Sequence, residues 1–236
     1  MLNYVISRDF NHAGGMQIFD ETLVVPVENK VDSKILFFDV KDPERPRRLK
    51  TEIIRKNKLA NAVGIYKEKS ENAGRERFVL LVKAGDLDVY YSTSGNLEDT
   101  DFELKYTWKY DDIKTQINSA GHFEDYQNIN LINQDNGQIY FIGLYNNTTR
   151  LFRSFSKDYA DLFRLEIDKR ERMALTKITR KSFSCQEGFW GNRYCNFDAG
   201  AGVFMDERDG MIIYAVADKP KNGIATFVEY SSSEKK

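Results

Sequence analysis

The chain of 236 residues carries two histidines, His12 and His122, and their surroundings set what chemistry they could do. His12 stands in FNHAGG and His122 in GHFEDYQN, each directly ahead of a short apolar run. Glu124, Asp125 and Asp198 hold comparable positions ahead of theirs. Imidazoles and carboxylates converging from several strand starts could hold a divalent metal and support metal-assisted hydrolysis. The same residues serve equally well as partners for backbone groups left open where strands begin. No tight ligand spacing ties them into a metal motif.

Other chemistries find less support. There is no Gly-x-Ser-x-Gly elbow, and neither Cys185 nor Cys195 has a histidine beside it in sequence to activate a thiol. A phosphate-binding loop is also missing. The run AGAGVF at residues 199–204 could pass for a dinucleotide fingerprint, but it opens a strand rather than a helix. Cys185 and Cys195 bracket the loop SCQEGFWGNRYC, which could close as a disulfide in an oxidising compartment or hold two buried thiols. A bridge implies an extracytoplasmic or secreted location, and its absence a cytoplasmic one.

Binding residues are easier to nominate. Phe189, Trp190 and Tyr194 fall inside the cysteine loop, and Arg150, Phe152 and Arg153 lie in the insertion at residues 147–158. Aromatics on a stiff loop can grip a sugar ring or a protein partner. They can also plug the side of a fold, so a glycan or protein partner is an expectation here.

Charge narrows the partners. With 35 basic and 36 acidic residues, a general attraction to nucleic acid is not expected. The basic clusters Arg45, Arg47, Arg48, Lys50 and Lys169, Arg170, Arg172 read as solvated loops. No apolar run approaches the roughly 20 residues of a membrane-spanning helix, so no transmembrane segment is expected. Arg8 and Asp9 interrupt any signal-peptide core, which reads as a cytosolic chain or one whose leader has been removed.

The elements that must position these residues are β-strands. Residues 14–49 read as a meander of three strands, at 15–19, 22–28 and 34–40. Looser copies open at residues 59–66, 127–132 and 199–204, each followed by two further strands. The interval of roughly 40 to 70 residues belongs to propeller blades. Each opening phrase is rich in small residues, as in Ala13-Gly14-Gly15 and Ala199-Gly200-Ala201-Gly202, because inner strands converge on an axis where only small side chains let backbones approach. Residues 51–58 read as a charged connector, 68–76 as a polar hairpin loop and 102–110 as an outer strand. Residues 111–120 read as a helical turn or a loop. Asn136-Gly137 is the clearest tight turn. Residues 2–7 alternate as a strand that could complete the last blade.

The phrase KILFFDVKDPERPRRL resembles the LVIVD type of β-propeller repeat on Ile35 to Phe38, Asp39, Asp42-Pro43 and Pro46. The match covers one blade, residues 22–49. It implies a ring of four-stranded blades, and it implies no catalytic residues.

Taken together, the residues predict one all-β domain over 1–236, whole or part of a longer chain, built as a small propeller of four or five antiparallel blades. The expected role is non-catalytic binding or scaffolding. A metal-assisted hydrolase or lactonase-like propeller using His12, His122 and the nearby carboxylates, with a divalent metal as cofactor, is the alternative.

Overall fold

The computed structural model describes residues 9–70, 75–117, 122–134, 136–147, 157–168, 170, 172–183, 195–206, 210–216 and 227–231. Four antiparallel sheets follow one another along the chain and make a four-bladed β-propeller, which fixes the blade number left open at four or five. Blade one holds β1 (His12–Ala13), β2 (Gln17–Phe19), β3 (Thr22–Glu28), β4 (Ser33–Asp39) and β5 (Arg47–Arg55). Both β1 and β2 pair with β3, so two short strands share the inner position. Blade two is β6 (Ala62–Ser70), β7 (Arg75–Ala84), β8 (Asp86–Ser92) and β9 (Phe102–Trp108). Blade three is β10 (Asn128–Asn133), β11 (Ile139–Asn147), β12 (Lys157–Ile167) and β13 (Met173–Phe183). Blade four shows β14 (Ala201–Asp206), β15 (Gly210–Val216) and β16 (Phe227–Ser231). Residues 2–7, expected to complete it, lie outside the described residues.

Three elements differ from the sequence reading. Residues 51–58 are in large part strand, because β5 is an outermost strand that buries Leu49, Thr51, Ile53 and Arg55 on one side and turns its charges outward. The basic cluster around Arg47 therefore lies on this strand and its approach, and it is neutralised there: Arg47 pairs with Asp39 and Glu98, and Arg48 with Glu52. The predicted hairpin loop at 68–76 is shorter, since β6 and β7 stay paired out to Ser70 and Arg75. β13 was not anticipated, for the same reason as β5: its sequence MALTKITRKSF exposes most of its polar residues. The ambiguous segment after β9 is helix α1 (Tyr110–Ile117), which buries Ile113 and Ile117. The expected tight turn is present, with Gly137 at φ 79° and its N–H donating to the Gln134 carbonyl at 2.8 Å.

The core lies between blades. Val24, Ile35 and Phe37 of blade one meet Val63, Ile65, Leu80 and Val82 of blade two. Leu81 and Val89 meet Ile129, Phe141 and Phe163 of blade three across the next seam. Ile142, Leu144 and Phe183 meet Phe197, Ile213 and Ala215 of blade four. Each such side chain contributes about 1.5–3 kcal/mol by leaving water, so the seams hold the ring together.

Candidate functional site

Close approach at the axis explains the small residues. A Cβ on Gly15 would stand 2.1 Å from the Gln127 carbonyl oxygen, inside any permitted contact. Gly15 forms a parallel bridge to Ala62, donating to the Asn61 carbonyl at 2.7 Å and accepting from Val63 N–H at 2.9 Å. Blades one, two and three thus meet backbone to backbone.

Just beyond, one side chain closes the axis. The Gln17 amide donates from Nε2 to the carbonyls of Ile65 (3.1 Å) and Leu131 (2.8 Å), while its Oε1 accepts from Ile65 N–H and Leu131 N–H, both at 2.9 Å. All four hydrogen-bonding positions of the amide are used, and β6 and β10 are tied across the axis by a residue of β2. Two asparagines of β10 extend the network to blade four: Asn128 Nδ2 donates to the Phe197 carbonyl at 2.6 Å, and Asn130 Oδ1 accepts from Val203 N–H at 3.1 Å.

On the side of this plug where the inner strands begin lies a cavity of about 420 Å³. Blade one lines it with residues from His12 to Met16, the start of blade three with Gln127 and Asn128, and blade four with the phrase from Asp198 to Gly202 and with Tyr214. Its size falls within the usual range of small-molecule sites. His12 is anchored there by strand pairing, since His12 and Glu28 face each other in the β1–β3 register. Its Nδ1 lies 2.9 Å from Glu28 Oε1, and Glu28 Oε2 accepts from Ala60 N–H at 2.8 Å. A largely buried carboxylate so fixed orients the ring and leaves Nε2 for other partners. Asp198 accepts from Asn146 N–H at 2.8 Å.

Of the five residues proposed for an axial metal, this cavity gathers His12 and Asp198. The other three belong to the seam between blades two and three. Asp125 pairs with Lys83 at 2.6 Å, where the lysine side chain is fully buried. Glu124 takes Arg180 at 2.9 Å and the Tyr145 hydroxyl at 3.3 Å. His122 contributes its carbonyl to Lys177 at 3.0 Å. Among the described residues, no three His, Cys, Asp or Glu side chains gather as metal ligands would.

That seam is built around Asp161. Its carboxylate, sealed from solvent, accepts from Arg180 through Nε and Nη2 at 2.7 Å each, from the Tyr126 hydroxyl at 2.6 Å and lies 3.0 Å from Lys177 Nζ. Burial opposes its ionisation, but the hydrogen bonds from Arg180, Tyr126 and Lys177 outweigh burial and hold it below the usual carboxylate range. Burial, then Asp161, pushes the Tyr126 phenol far up. Gly143, the register partner of Asp161, makes room: a Cβ there would enter the Tyr126 ring at 2.5 Å. Blade two repeats the device. Asp88 occupies the matching position of β8, partnering Val82 as Asp161 partners Gly143. It receives Arg55 at 2.6 Å, Lys58 at 2.9 Å and the Thr107 hydroxyl at 2.5 Å. Burial again opposes ionisation and is outweighed by these partners, so its carboxyl is also held low. Both clusters are saturated ion networks that fasten blades.

The rim residues Arg150, Phe152, Arg153, Phe189, Trp190 and Tyr194 lie outside the described residues, as does Cys185. Cys195 is fully buried in the seam between blades three and four, with Sγ 3.2 Å from the Tyr230 hydroxyl. No described helix is long and apolar enough to cross a membrane. The sequence reading did not single out Gln17, Asn128 or Tyr214. Its one available signal was the first two asparagines of NINLIN, Asn128 and Asn130, which are out of place in a strand stretch buried on both faces.

No protein-family model matches the chain, and no curated protein matches it.

Proposed function

We propose that the chain is a non-catalytic binding propeller whose ligand sits in the mouth of the axis, between the inner strands of blades one, three and four. The observation that carries this reading is the cavity itself, which the three blades line. Three of its walls come from rigid strands or their immediate lead-ins, which favours recognition without reorganisation.

The hydrolase alternative needs its histidines and carboxylates together, and three of the five are committed to ion pairs or backbone contacts in another seam. We therefore do not advance it. We retain as proposals the bridge between Cys185 and Cys195, with the extracytoplasmic location it implies, and the rim aromatics as a glycan or protein surface. Kinship with LVIVD-type repeats is likewise proposed, on Asp39, Asp42-Pro43 and Pro46. It fails if homologous chains lack the aspartate and paired prolines at the close of their blades.

Gly202 supplies the test of the site. It lines the cavity, and a Cβ added there meets nothing within 4 Å, so Gly202→Leu fills the recess without straining the fold. Thermal-shift screening of the wild type and of this variant with glucose, N-acetylglucosamine, phenethylamine and phenylacetate reads the outcome. At least one probe stabilises the wild type and loses its effect in Gly202→Leu, whose own Tm is unchanged. Probes that stabilise both proteins equally would place binding elsewhere.

A further inference from the structure

Blade four brings an aromatic ring to the axial mouth. In the sheet register Tyr214 of β15 stands between Gly202 of β14 and Glu229 of β16, so the three share one face of the blade. The Tyr214 hydroxyl donates to the Glu229 carboxylate, which ties the ring to the outer strand. Toward the axis, Gly202 carries no side chain, and a Cβ there would meet nothing within 4 Å. The ring lines the cavity and is 37% exposed. Its electron-rich face attracts partial or full positive charge, and the remaining walls decide which.

Blades one and three supply a wall of neutral polar groups. Asn128 at the start of β10 is only 5% exposed and spends its Nδ2 on the Phe197 carbonyl. Its Oδ1 lies beside Gly15, 2.8 Å from where a Cβ would stand, and has no hydrogen-bond partner among the described residues. A buried acceptor left unpaired is costly, so this oxygen demands a donor from the cavity. Gln127 lines the same wall with a side-chain amide that no described group engages. His12 adds Nε2, which accepts in the neutral ring because Nδ1 is committed to Glu28.

No charge is left over for a ligand. Asp198 accepts from Asn146 N–H and has further partners within the fold, and no Lys or Arg is among the described lining residues. An ionic ligand would lose its hydration with no counter-charge in return. Hydroxyl groups, which both donate and accept, match the two amides and the imidazole.

We propose that the ligand of this site is a neutral pyranose sugar, its polarised C–H face laid on Tyr214 and its hydroxyls on Asn128 Oδ1, the Gln127 amide and His12 Nε2. The inference rests on the axial mouth being the binding site. It adds the ligand class and the two walls that read it.

Isothermal titration with glucose, galactose, mannose and N-acetylglucosamine tests it, with phenethylamine and phenylacetate as charged ring compounds for comparison. At least one sugar binds the wild type, and both charged probes bind at least tenfold more weakly. That sugar is weakened at least tenfold in Gly202→Leu, at least fivefold in Tyr214→Leu and at least threefold in Gln127→Ala. It stays within twofold in Tyr214→Phe, which keeps the ring and loses only the hydroxyl. No binding of any sugar, a charged probe that binds as tightly as the best sugar, or sugar binding unchanged in Tyr214→Leu would overturn the proposal. Should Tyr214→Leu fail to fold, unchanged binding in Gln127→Ala overturns it instead. A charged probe that wins and is lost in Gly202→Leu would leave the site standing and remove only the ligand class. A Gly202→Leu variant that leaves every bound probe unchanged would remove the site.

Discussion

Gln17 shows how much a single side chain can decide in this ring. It is one polar residue in a three-residue strand, and replacing it by leucine keeps the volume while stripping four backbone groups of β6 and β10 of their partners. Unpaired buried groups cost about 1–3 kcal/mol each, partly relieved by relaxation. Gln17→Leu is expected to lose about 3 kcal/mol and to lower Tm by about 6–12 °C for a chain of this size; a shift under about 2 °C in calorimetry would show that the plug is not structural. Asp161→Asn tests the seam in the same way, since it removes the buried charge that Arg180 and Lys177 pair with and turns one of its two acceptor oxygens into a donor. Removing one partner of such a network costs about 3–5 kcal/mol, whereas Arg47→Ala, at an exposed ion pair screened by solvent, is expected to cost far less. Denaturant titration of both variants reads the contrast, and equal losses would contradict it.

Among the elements, those with a buried face were legible and the outermost were not. β3 falls at residues 22–28 as its alternation predicts, and the openings read at residues 59–66, 127–132 and 199–204 hold β6, β10 and β14. β5 and β13 escaped because an edge strand buries half of one face, so charge dominates its sequence. Three of the five candidate metal residues, His122, Glu124 and Asp125, lie in the seam between blades two and three and away from the axial cavity, for a related reason. The phrase ahead of β10 carries Phe123 and Tyr126, fully buried with ring centroids 5.1 Å apart, and their burial draws Glu124 and Asp125 into the seam with Arg180 and Lys83. Sequence position before a strand told where the backbone goes, and only packing told which way the side chains turn. Blade four has an element-scale test of its own. If Cys195 is bridged to Cys185, intact mass after alkylation under denaturing, non-reducing conditions adds no label, and reduction adds two. Two labels without reduction would sink the bridge and the location drawn from it.

For the whole molecule, the repeated acid on the third strand of blades two and three ties stability to pH. Asp88 and Asp161 are both held below their ordinary range in the fold. Their contribution is therefore complete above the unfolded carboxylate value of about 4 and is lost as pH falls through their lowered folded values. Tm is expected to be flat from about pH 7 to 5 with respect to these groups and to fall steeply below about pH 4, less so in Asp161→Asn, which has already lost one contribution. A Tm at pH 3 equal to that at pH 7 would contradict this.

Binding at the axial mouth is tested most directly by methionine methyl NMR. Met16 lines the cavity, Met173 is buried between blades two and three, and Met205 is exposed on β14 outside the described lining. Titration of methyl-labelled protein with phenethylamine, glucose and N-acetylglucosamine in turn should move the Met16 resonance with at least one probe while Met173 and Met205 stay in place. Binding that moves Met205 or Met173 and leaves Met16 unchanged would contradict the central claim.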